Sequence, residues 1–407
     1  SSMGCRLRDH FDLILLMLTP ERFLFGKPIN KWFNPDFFKT NFWFLWSSMF
    51  AFEPWHSVVE MRRYMRRFLH QFSNLATMQT ISHTRYAQYF SIVMPLIEWL
   101  SEHGVQFNHE TQVTDIVFDP DSKHITVKKI CYQIKKSNEE IQISPSDLVL
   151  FCNGSMIANS AQGSMSSAPQ LTSNQPSGAW DLWKKIAAER PGLGNPEAFC
   201  ANINQTKWES FTVTSRNPAF KKAVELFTKR ALGRSGLITF KDSAWMLSLY
   251  FHYNPIIPNQ PEDTFLWWGY GLFPDRKGNY IKKAMSKCTG SEILAESLHH
   301  LKMIDLIHEV EKTSVCIPTM MPYITAQFMP RKKNDRPEVV PKNSTNLAFI
   351  GQFCEQPDDV VFTVEYSVRS ARAAIAHFFP EIGHVPGIYK GYQNPLVLLR
   401  ALKVLIR

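Results

Sequence analysis

The sequence predicts a multi-lobed protein of the α+β or α/β class, in which helices and strands are both abundant. The chain has 407 residues, which exceeds the usual size of one hydrophobic core and indicates two or three packed lobes. Helical periodicity dominates the first hundred residues, and short apolar runs bounded by turn residues begin at Gly104. Helix-rich and strand-rich stretches therefore follow one another along the chain.

Residues 1–103 are predicted to form a helical lobe. Apolar residues recur there at spacings of three and four in HFDLILLML, SVVEMRRYMRRFLHQF and YAQYFSIVMPLIEWL. Residues 104–157 are predicted to form a sheet segment, with strands in VQFNHETQVTDIVF, HITVKKICYQI and DLVLFCNGS.

Residues 158–345 are predicted to form a mixed region. It opens with residues 158–178, which are rich in Ser, Gln, Gly and Pro and have no apolar period, so they predict a loop or a mobile insertion. The strand-like runs SAWMLSLYFHY and TFLWWGYGLFP follow. Aromatic residues make up 13% of the chain, and such residues suit either the wall of a long apolar pocket or an aromatic core.

Residues 346–379 are predicted to form a strand, NLAFIG, and a long amphipathic helix from about Val361 to Phe379. Residues 380–407 form a basic tail. Its final helix, residues 394–407, separates its leucines from Arg400, Lys403 and Arg407. This pattern fits the surface of an anionic membrane, or equally a helix docked on the protein or on a dimer partner.

Two strand ends suggest a cofactor site. The apolar runs DLVLFCNGS and NLAFIGQFCE stop at Gly154 and Gly351, where the absence of a Cβ lets a ligand approach the backbone. A helix amino terminus after Gly351 would point its amides towards that ligand. Ordinary turn glycines are the alternative explanation. The glycine-rich turn G-x-G-x-x-G, which seats a dinucleotide pyrophosphate, does not occur in the 407 residues.

Charge and cysteine content narrow the class of protein. The net charge is +9, with basic clusters at residues 62–67, 331–333 and in the final helix, and these clusters fit anionic lipid or nucleic acid. Since no nucleic-acid-binding motif is present, lipid is the preferred partner. The seven cysteines are scattered and lack the spacing of a metal site, which indicates a reducing cytoplasm. The longest apolar stretch, residues 42–52, is too short to span a bilayer, and no secretory signal opens the sequence.

Four long blocks spread over nearly the whole chain, at residues 34–70, 267–293, 322–331 and 348–375, carry a family resemblance. They resemble the oleate hydratase (myosin-cross-reactive antigen) family. The resemblance implies a flavoprotein-like, FAD-containing fold, usually a homodimer, that adds water across the cis-9 double bond of oleate or linoleate. The helical lobe would line the substrate site. The Rossmann unit with the glycine-rich turn and the water-activating carboxylate is expected to lie in an amino-terminal segment that this chain lacks.

The resemblance also implies site residues. Tyr86 matches the first Tyr of the family motif Tyr-Asn-Gln-Tyr-Glu-Ser and is the predicted proton donor, with Tyr89 as second choice. In the family's carboxylate-binding segment this chain has Tyr250, His252 and Ile256, and Tyr250 and His252 are the predicted substrate contacts. The chain departs from the motif at Ala87 and Phe90 as well. The positions that match flavin-facing segments are Asn153, Gly154, Ser155, Gly351, Gln352, Phe362 and Thr363.

Three functions remain open from the sequence. The leading one is a hydratase that uses FAD without net redox change. The second is a flavin-dependent oxidoreductase or isomerase of unsaturated lipids. The third is a catalytically silent lipid-binding relative. Without the resemblance, Tyr86, Tyr89 and His252 would be interpreted as structural residues.

Overall fold

The computed structural model describes residues 3–72, 83–171, 177–361 and 363–406. Helices and strands are mixed, as predicted from the sequence. The strands are β1 (Thr111–Phe118), β2 (Val127–Ile134), β3 (Ser137–Gln142), β4 (Val149–Cys152), β5 (Ala161–Gln162), β6 (Trp208–Ser215), β7 (Ile238–Thr239), β8 (Leu247–Phe251), β9 (Phe265–Gly271), β10 (Ser314–Met321) and β11 (Leu347–Ile350).

The α-helices are distributed along the whole chain. They are α1 (Leu7–Leu18), α2 (Asn41–Phe50), α3 (Val58–Phe68), α4 (Met94–Glu102), α5 (Gly178–Glu189), α6 (Glu197–Cys200), α7 (Ile203–Thr206), α8 (Pro218–Thr228), α9 (Gly290–His300), α10 (Ile307–Thr313), α11 (Val364–Phe378) and α12 (Pro395–Ile406). Among the described residues, no helix is long and apolar enough to cross a membrane.

The helices α1, α2 and α3 pack around an aromatic core that includes Trp43, Trp46 and Phe50. The hydroxyl of Thr40 begins α2 by accepting a hydrogen bond from the amide of Trp43, and Ala51 ends the helix in the left-handed conformation. The carboxy-terminal helix α12 joins the same core through Val397 and Ala401. The two ends of the chain therefore share one hydrophobic cluster.

A six-stranded antiparallel sheet, in the order β5-β10-β6-β9-β8-β7, is the largest sheet among the described residues. Side chains alternate between its two faces because the pleat has a period of two. One face carries Phe211, Leu249 and Trp267 into a core covered by α8, α9 and α10. The opposite face carries Trp208, Trp268 and Tyr270 and faces α2.

Two smaller sheets complete the structure. Strands β1, β2 and β3 form an antiparallel sheet that packs on α5. Strands β4 and β11 pair in parallel, with Val149 opposite Leu347 and Cys152 opposite Ile350. Both predicted strand ends, at Gly154 and Gly351, consequently lie at the same edge of one sheet.

The described residues of segment 158–178 that precede α5 have no regular secondary structure apart from the two-residue strand β5 and an isolated bridge, and residues 172–176 lie outside the described residues. Ala161 and Gln162 pair with Met320 and Thr319 at the edge of the six-stranded sheet. The amide of Gly163 extends this contact by donating to the carbonyl of Pro318. Backbone hydrogen bonds hold these residues without any apolar side-chain pattern, which is why the sequence did not indicate a strand.

The two predicted basic clusters within the chain are largely buried ion pairs, so their interpretation as lipid-facing patches is wrong. Arg63 bonds both Glu21 and Glu355, at 2.8 and 2.6 Å. Arg331 is completely buried and bonds Glu60 at 3.0 Å and Glu355 at 3.0 Å. The basic residues are consecutive or one helical turn apart, whereas the carboxylates that neutralise them come from distant parts of the chain.

Helix α11 begins at Val364, three residues later than predicted. It turns Tyr366, Ser370 and Ala374 inward, and the Ser370 hydroxyl accepts a hydrogen bond from the amide of Gly351 at 2.9 Å. Val364 and Val368, which belong to the apolar stripe of the sequence, are exposed. The buried face of this helix is therefore the face with small and polar side chains.

Candidate active site

The aromatic face of the six-stranded sheet forms one wall of a cavity of about 680 Å³. Trp208, Trp268 and Tyr270 line this wall, and Phe50 and Phe328 line other parts of the cavity. Its volume lies within the range of about 300–1,000 Å³ that is typical of small-molecule sites. The walls are largely apolar, which suits a hydrocarbon.

The end of α2 closes the cavity against the sheet. Ser48, Met49 and Ala51 line it, and the buried hydroxyl of Tyr270 donates a hydrogen bond to the carbonyl of Ser48. Burial raises the pKa of Tyr270. The phenol therefore stays protonated and joins the helix to β9.

Tyr250 and His252, the predicted substrate contacts, both line this cavity. Their ring centroids are 5.0 Å apart, with the ring planes at 81°. Burial raises the pKa of Tyr250 and lowers the pKa of His252 to about 4. At neutral pH the pair offers hydrogen bonds to a ligand but no positive charge.

Neither predicted proton donor lies on the cavity wall. Gln88, which stands between them in the sequence, does line the cavity. Tyr86 is half-buried, and the guanidinium carbon of Arg85 lies 5.3 Å from the centroid of its ring. Tyr89 is 56% exposed. The structure thus brings Tyr250 and His252 together and leaves Tyr86 and Tyr89 beside them, outside the cavity lining.

The segment that carries Tyr86 is nevertheless anchored to the loop after β8. The amide of Ala87 donates to the carbonyl of Ile256 at 2.8 Å, and the hydroxyl of Tyr253 donates to the carbonyl of Thr84. His83 stacks on Tyr253, with ring centroids 4.1 Å apart. These contacts hold the segment at the margin of the cavity.

A second cavity, of about 550 Å³, lies at the ends of β4 and β11. Four of the predicted flavin-facing residues line it: Gly154, Ser155, Gly351 and Gln352. Met156 and Gln352 line both this cavity and the aromatic one. The strand ends and the aromatic sheet face therefore open on neighbouring spaces.

Gly154 and Gly351 are explained by their turn conformation and packing, which was the alternative to a cofactor site in the sequence analysis. Both have positive φ, +64° at Gly154 and +96° at Gly351. A Cβ at Gly154 would lie 2.8 Å from the ring of Phe353, and one at Gly351 would lie 2.7 Å from the sulfur of Cys152. The chain's own packing and backbone conformation demand glycine at both positions, without any ligand.

The remaining predicted cofactor residues are not part of the cavity lining. Asn153 is buried, and its side-chain amide donates to the carbonyl of Phe353 at 3.2 Å. Thr363 precedes α11, and its hydroxyl donates to the carbonyl of Val360 at 3.3 Å. Phe362 lies outside the described residues.

The chemistry of the strand-end cavity fits a flat, uncharged ring better than a phosphate group. Its polar lining residues are Ser155, Gln352 and Ser367, and no described residue that lines it is Lys or Arg. Near the first turn of α11, Glu365 and Asp359 already pair with Arg67 and Arg369, so these two guanidinium groups are occupied by the chain's own carboxylates. A flavin ring matches these residues, whereas its diphosphate would need other groups.

Sequence analysis did not identify most of the cavity lining. Five such residues come from three separate segments that only folding brings together: Trp208 on β6, Trp268 and Tyr270 on β9, and Gln327 and Phe328 in the turn after β10. The high aromatic content and the period-two alternation of WWGYG were the available signals. They indicated an aromatic surface without its location.

The fold and the cavities define a mixed α and β protein with a cavity lined largely by aromatic and other apolar side chains. The chain belongs to the MCRA family, whose sequence profile matches residues 1–376. An oleate hydratase from Streptococcus pyogenes serotype M49 (strain NZ131) is 38% identical over 402 residues, which are 96% of this chain and 68% of that protein. The family resemblance predicted from the sequence is confirmed.

Two further proteins are similar to the chain. A linoleate hydratase from Lactiplantibacillus plantarum is 34% identical over 405 residues, covering 92% of this chain and 70% of that protein. A crystal structure of an oxidoreductase from Methanosarcina mazei aligns with a TM-score of 0.46 and 11% sequence identity, over 91% of this chain and 73% of that one.

Proposed function

We propose that the protein hydrates a carbon–carbon double bond of unsaturated fatty acids, converting the cis-9 bond of oleate or linoleate into a 10-hydroxy acid. The observation that carries the proposal is the aromatic cavity, which adjoins the strand-end cavity, in a chain related to an oleate hydratase and a linoleate hydratase. A largely apolar space of this size accommodates a hydrocarbon chain.

Water exclusion is central to this chemistry. Protonation of an isolated alkene generates positive charge at carbon, and a wet site would quench that charge without control. Trp208, Trp268 and Tyr270 line the cavity, and the negative potential of an aromatic ring face would stabilise positive charge at a carbon bound against it. The chain therefore contributes an aromatic wall to the proposed reaction.

Tyr86 is the proposed proton donor and Tyr89 the second choice, from their match to the family motif. Gln88 lines the cavity and Tyr86 does not, so donation requires the Tyr86 hydroxyl to reach the bound double bond from a neighbouring position in the same segment. A phenol has a pKa near ~10, so it donates efficiently only when it is well placed and desolvated. Binding of the fatty acid would supply both conditions.

FAD is the proposed cofactor, held at its ring by Ser155, Gly351 and Gln352. Those residues combine polar groups with an uncharged lining. When bound, the flavin would supply an electrostatic contribution to the site without net redox change. Met156 and Gln352 would lie between the ring and the aromatic cavity, because they line both spaces.

Isotope labelling tests the reaction. Oleate is incubated with the FAD-loaded protein in H₂¹⁸O without an electron acceptor, and the product is analysed by mass spectrometry. We expect 10-hydroxystearate that contains one ¹⁸O atom. A product that forms only with an electron acceptor, and that lacks ¹⁸O, would establish the oxidoreductase instead. Tight oleate binding without any product would establish the silent lipid-binding protein.

Two matched variants test the proton donor. Tyr86→Phe should lower the hydration rate by roughly 10²- to 10⁴-fold, the usual contribution of a general acid, while Tyr89→Phe should retain most activity. Unchanged circular dichroism spectra would show that both variants fold. Full turnover by Tyr86→Phe would remove Tyr86 from the mechanism.

Attachment to an anionic membrane through residues 394–407 is a further part of the proposal. Helix α12 docks by Val397 and Ala401, but Leu396, Leu399 and Leu402 are exposed. Vesicles containing phosphatidylserine should co-sediment the full chain and not a variant that ends at Gln393. Equal sedimentation of both would exclude this role.

A homodimer is also proposed, and light scattering would measure it directly.

A further inference from the structure

Helix α1 is apolar on two sides. Its inner side, with Leu13 and Leu16, packs into the aromatic core of the helical lobe. At 3.6 residues per turn, five further apolar residues fall within an outer arc of about 100°, and none of the polar residues of α1 lies inside that arc. These five residues form the α1 stripe: Leu7, Phe11, Ile14, Leu15 and Leu18.

The α1 stripe lies on the surface of the protein. Leu7 is 88% exposed, Leu18 is 72% exposed and Phe11 is 65% exposed, and the other two members are exposed as well. A surface helix normally turns polar side chains outward, because apolar side chains in water cost free energy. A contiguous apolar surface of this kind indicates a contact with another molecule.

Cations border the α1 stripe. Arg8 comes next to Leu15 around the helix and is exposed, whereas the carboxylate of Asp12, 3.8 Å from it, is largely buried. Arg22 is exposed in the turn after α1, and its guanidinium carbon lies 4.8 Å from the ring centroid of the exposed Phe23. An apolar surface with basic margins complements anionic lipid, since Arg can reach a phosphate while its apolar stem stays beside the acyl chains.

A second copy of the chain is the other candidate for this surface. Four members of the stripe are spaced by four, three and four residues, as in a coiled-coil seam. Helix α1 has only 12 residues, however, and spans about 18 Å, which is less than two heptads, whereas a coiled coil usually extends over about three or four. The positions that flank such a seam hold no carboxylate to pair with a cation of the second copy: they are Arg8, His10, Leu15 and Met17. Lipid is therefore the favoured occupant.

The end of α1 adjoins the start of α12. Arg66 donates a hydrogen bond to the carbonyl of Met17 at 2.6 Å, and its guanidinium carbon lies 4.5 Å from the ring centroid of Tyr392, in the turn that leads into α12. Helix α12 exposes Leu396 and Leu399. The α1 stripe and the exposed leucines of α12 therefore belong to neighbouring helices of one lobe.

We propose that the α1 stripe inserts into the surface of an anionic lipid bilayer. Its side chains would lie at the boundary between headgroups and acyl chains, with Arg8 and Arg22 at the phosphates. Because binding at such an interface grows with the apolar area that is buried, α1 and α12 would contribute together. The proposed hydration is not assumed in this inference, which concerns a surface outside both cavities.

Co-sedimentation with vesicles of phosphatidylcholine and phosphatidylserine tests the proposal, using the full chain without fatty acid. Phe11→Asp removes a large apolar side chain and adds a charge of the wrong sign while α12 stays intact. We expect it to weaken vesicle binding about tenfold or more, since one buried apolar side chain is worth that factor. Phe11→Leu should retain most of the binding, and vesicles of phosphatidylcholine alone should bind the unaltered chain more weakly.

Leu226→Asp is the matched control, because Leu226 is 69% exposed but lies on α8, which covers the six-stranded sheet. It should leave vesicle binding unchanged, and circular dichroism would show that each variant is folded. Equal binding by Phe11→Asp and the unaltered chain would overturn the proposal, as would no vesicle binding by the unaltered chain. Light scattering without vesicles is the second measurement: a dimer that Phe11→Asp converts into monomers would assign the stripe to a second copy and overturn the lipid contact. Failure of the proposed hydration would leave vesicle binding unaffected, so the two proposals fail separately.

Discussion

Replacement of Glu60 by Gln should destabilise the protein more than any surface charge change, because Glu60 neutralises two completely buried arginines. Its Oε1 atom lies 3.0 Å from Arg331 Nε and 3.4 Å from Arg336 Nη2. Both guanidinium groups have no exposed side-chain surface, and the carboxylate is 1% exposed. Removal of one partner from a buried pair costs about 3–5 kcal/mol, since it leaves charge without compensation.

The remaining ion-pair partners of the two arginines decide how much stability Glu60→Gln should lose. Arg331 retains Glu355 at 3.0 Å, whereas Arg336 has no second carboxylate within salt-bridge distance among the described residues. The uncompensated charge is therefore mainly that of Arg336, and we expect a loss near the lower end, about 3 kcal/mol. Burial opposes ionisation of Glu60, but Arg336, Arg331 and Arg63 overcome it and lower the pKa of its carboxyl.

Urea unfolding at pH 7, followed by tryptophan fluorescence, measures this loss. Glu140→Gln is the control, because Glu140 lies on the exposed strand β3 and pairs there with Lys129 of β2. This substitution should leave the unfolding midpoint unchanged. Since a depressed pKa stabilises the folded state only above the unfolded pKa, the difference between Glu60→Gln and the unaltered chain should shrink as the pH falls below about 4. A loss below about 1 kcal/mol at pH 7 would refute the account of this ion cluster.

Three further predictions concern the glycine turn, a buried acid and the ligand. Gly154→Ala should lower the free energy of unfolding in urea by about 1–3 kcal/mol more than Gly104→Ala does. Both glycines have positive φ, but only a Cβ at Gly154 would contact the rings of Phe353 and Trp180. Equal losses of stability would contradict the packing argument. Burial raises the pKa of Glu209, and neither of its carboxyl oxygens has a hydrogen-bond partner among the described residues. Glu209→Gln should therefore stabilise the fold at pH 7 and have a smaller effect at pH 4. Urea unfolding curves at the two pH values measure this, and equal changes in the unfolding midpoint would count against it. Oleate affinity should stay constant from pH 6 to pH 8, because burial lowers the pKa of His252 to about 4 and the ring is already neutral. If the affinity measured by calorimetry falls across that interval as an imidazole loses its proton, charged His252 binds the carboxylate.

The local pattern of residues was sufficient to predict several elements and the family. The apolar runs before Gly154 and Gly351 are strands, and the three-four spacings at residues 7–18 and 58–68 are helices. These predictions succeeded because side-chain periods of two and 3.6 are properties of neighbouring residues. Family membership was equally accessible, since it depends on similarity along the sequence and not on the arrangement of residues in space.

Tertiary structure alone decided where charges and cavities lie. The arginines at positions 62, 63 and 331 were visible as charges, but their carboxylates at positions 21, 60 and 355 are distant in sequence, so burial could not be inferred. The aromatic cavity and the placement of Tyr86 outside its lining likewise depend on strand order and helix packing. Sequence determined which residues are apolar, aromatic or charged, and folding determined which of them meet, because long-range contacts leave no local period in the chain.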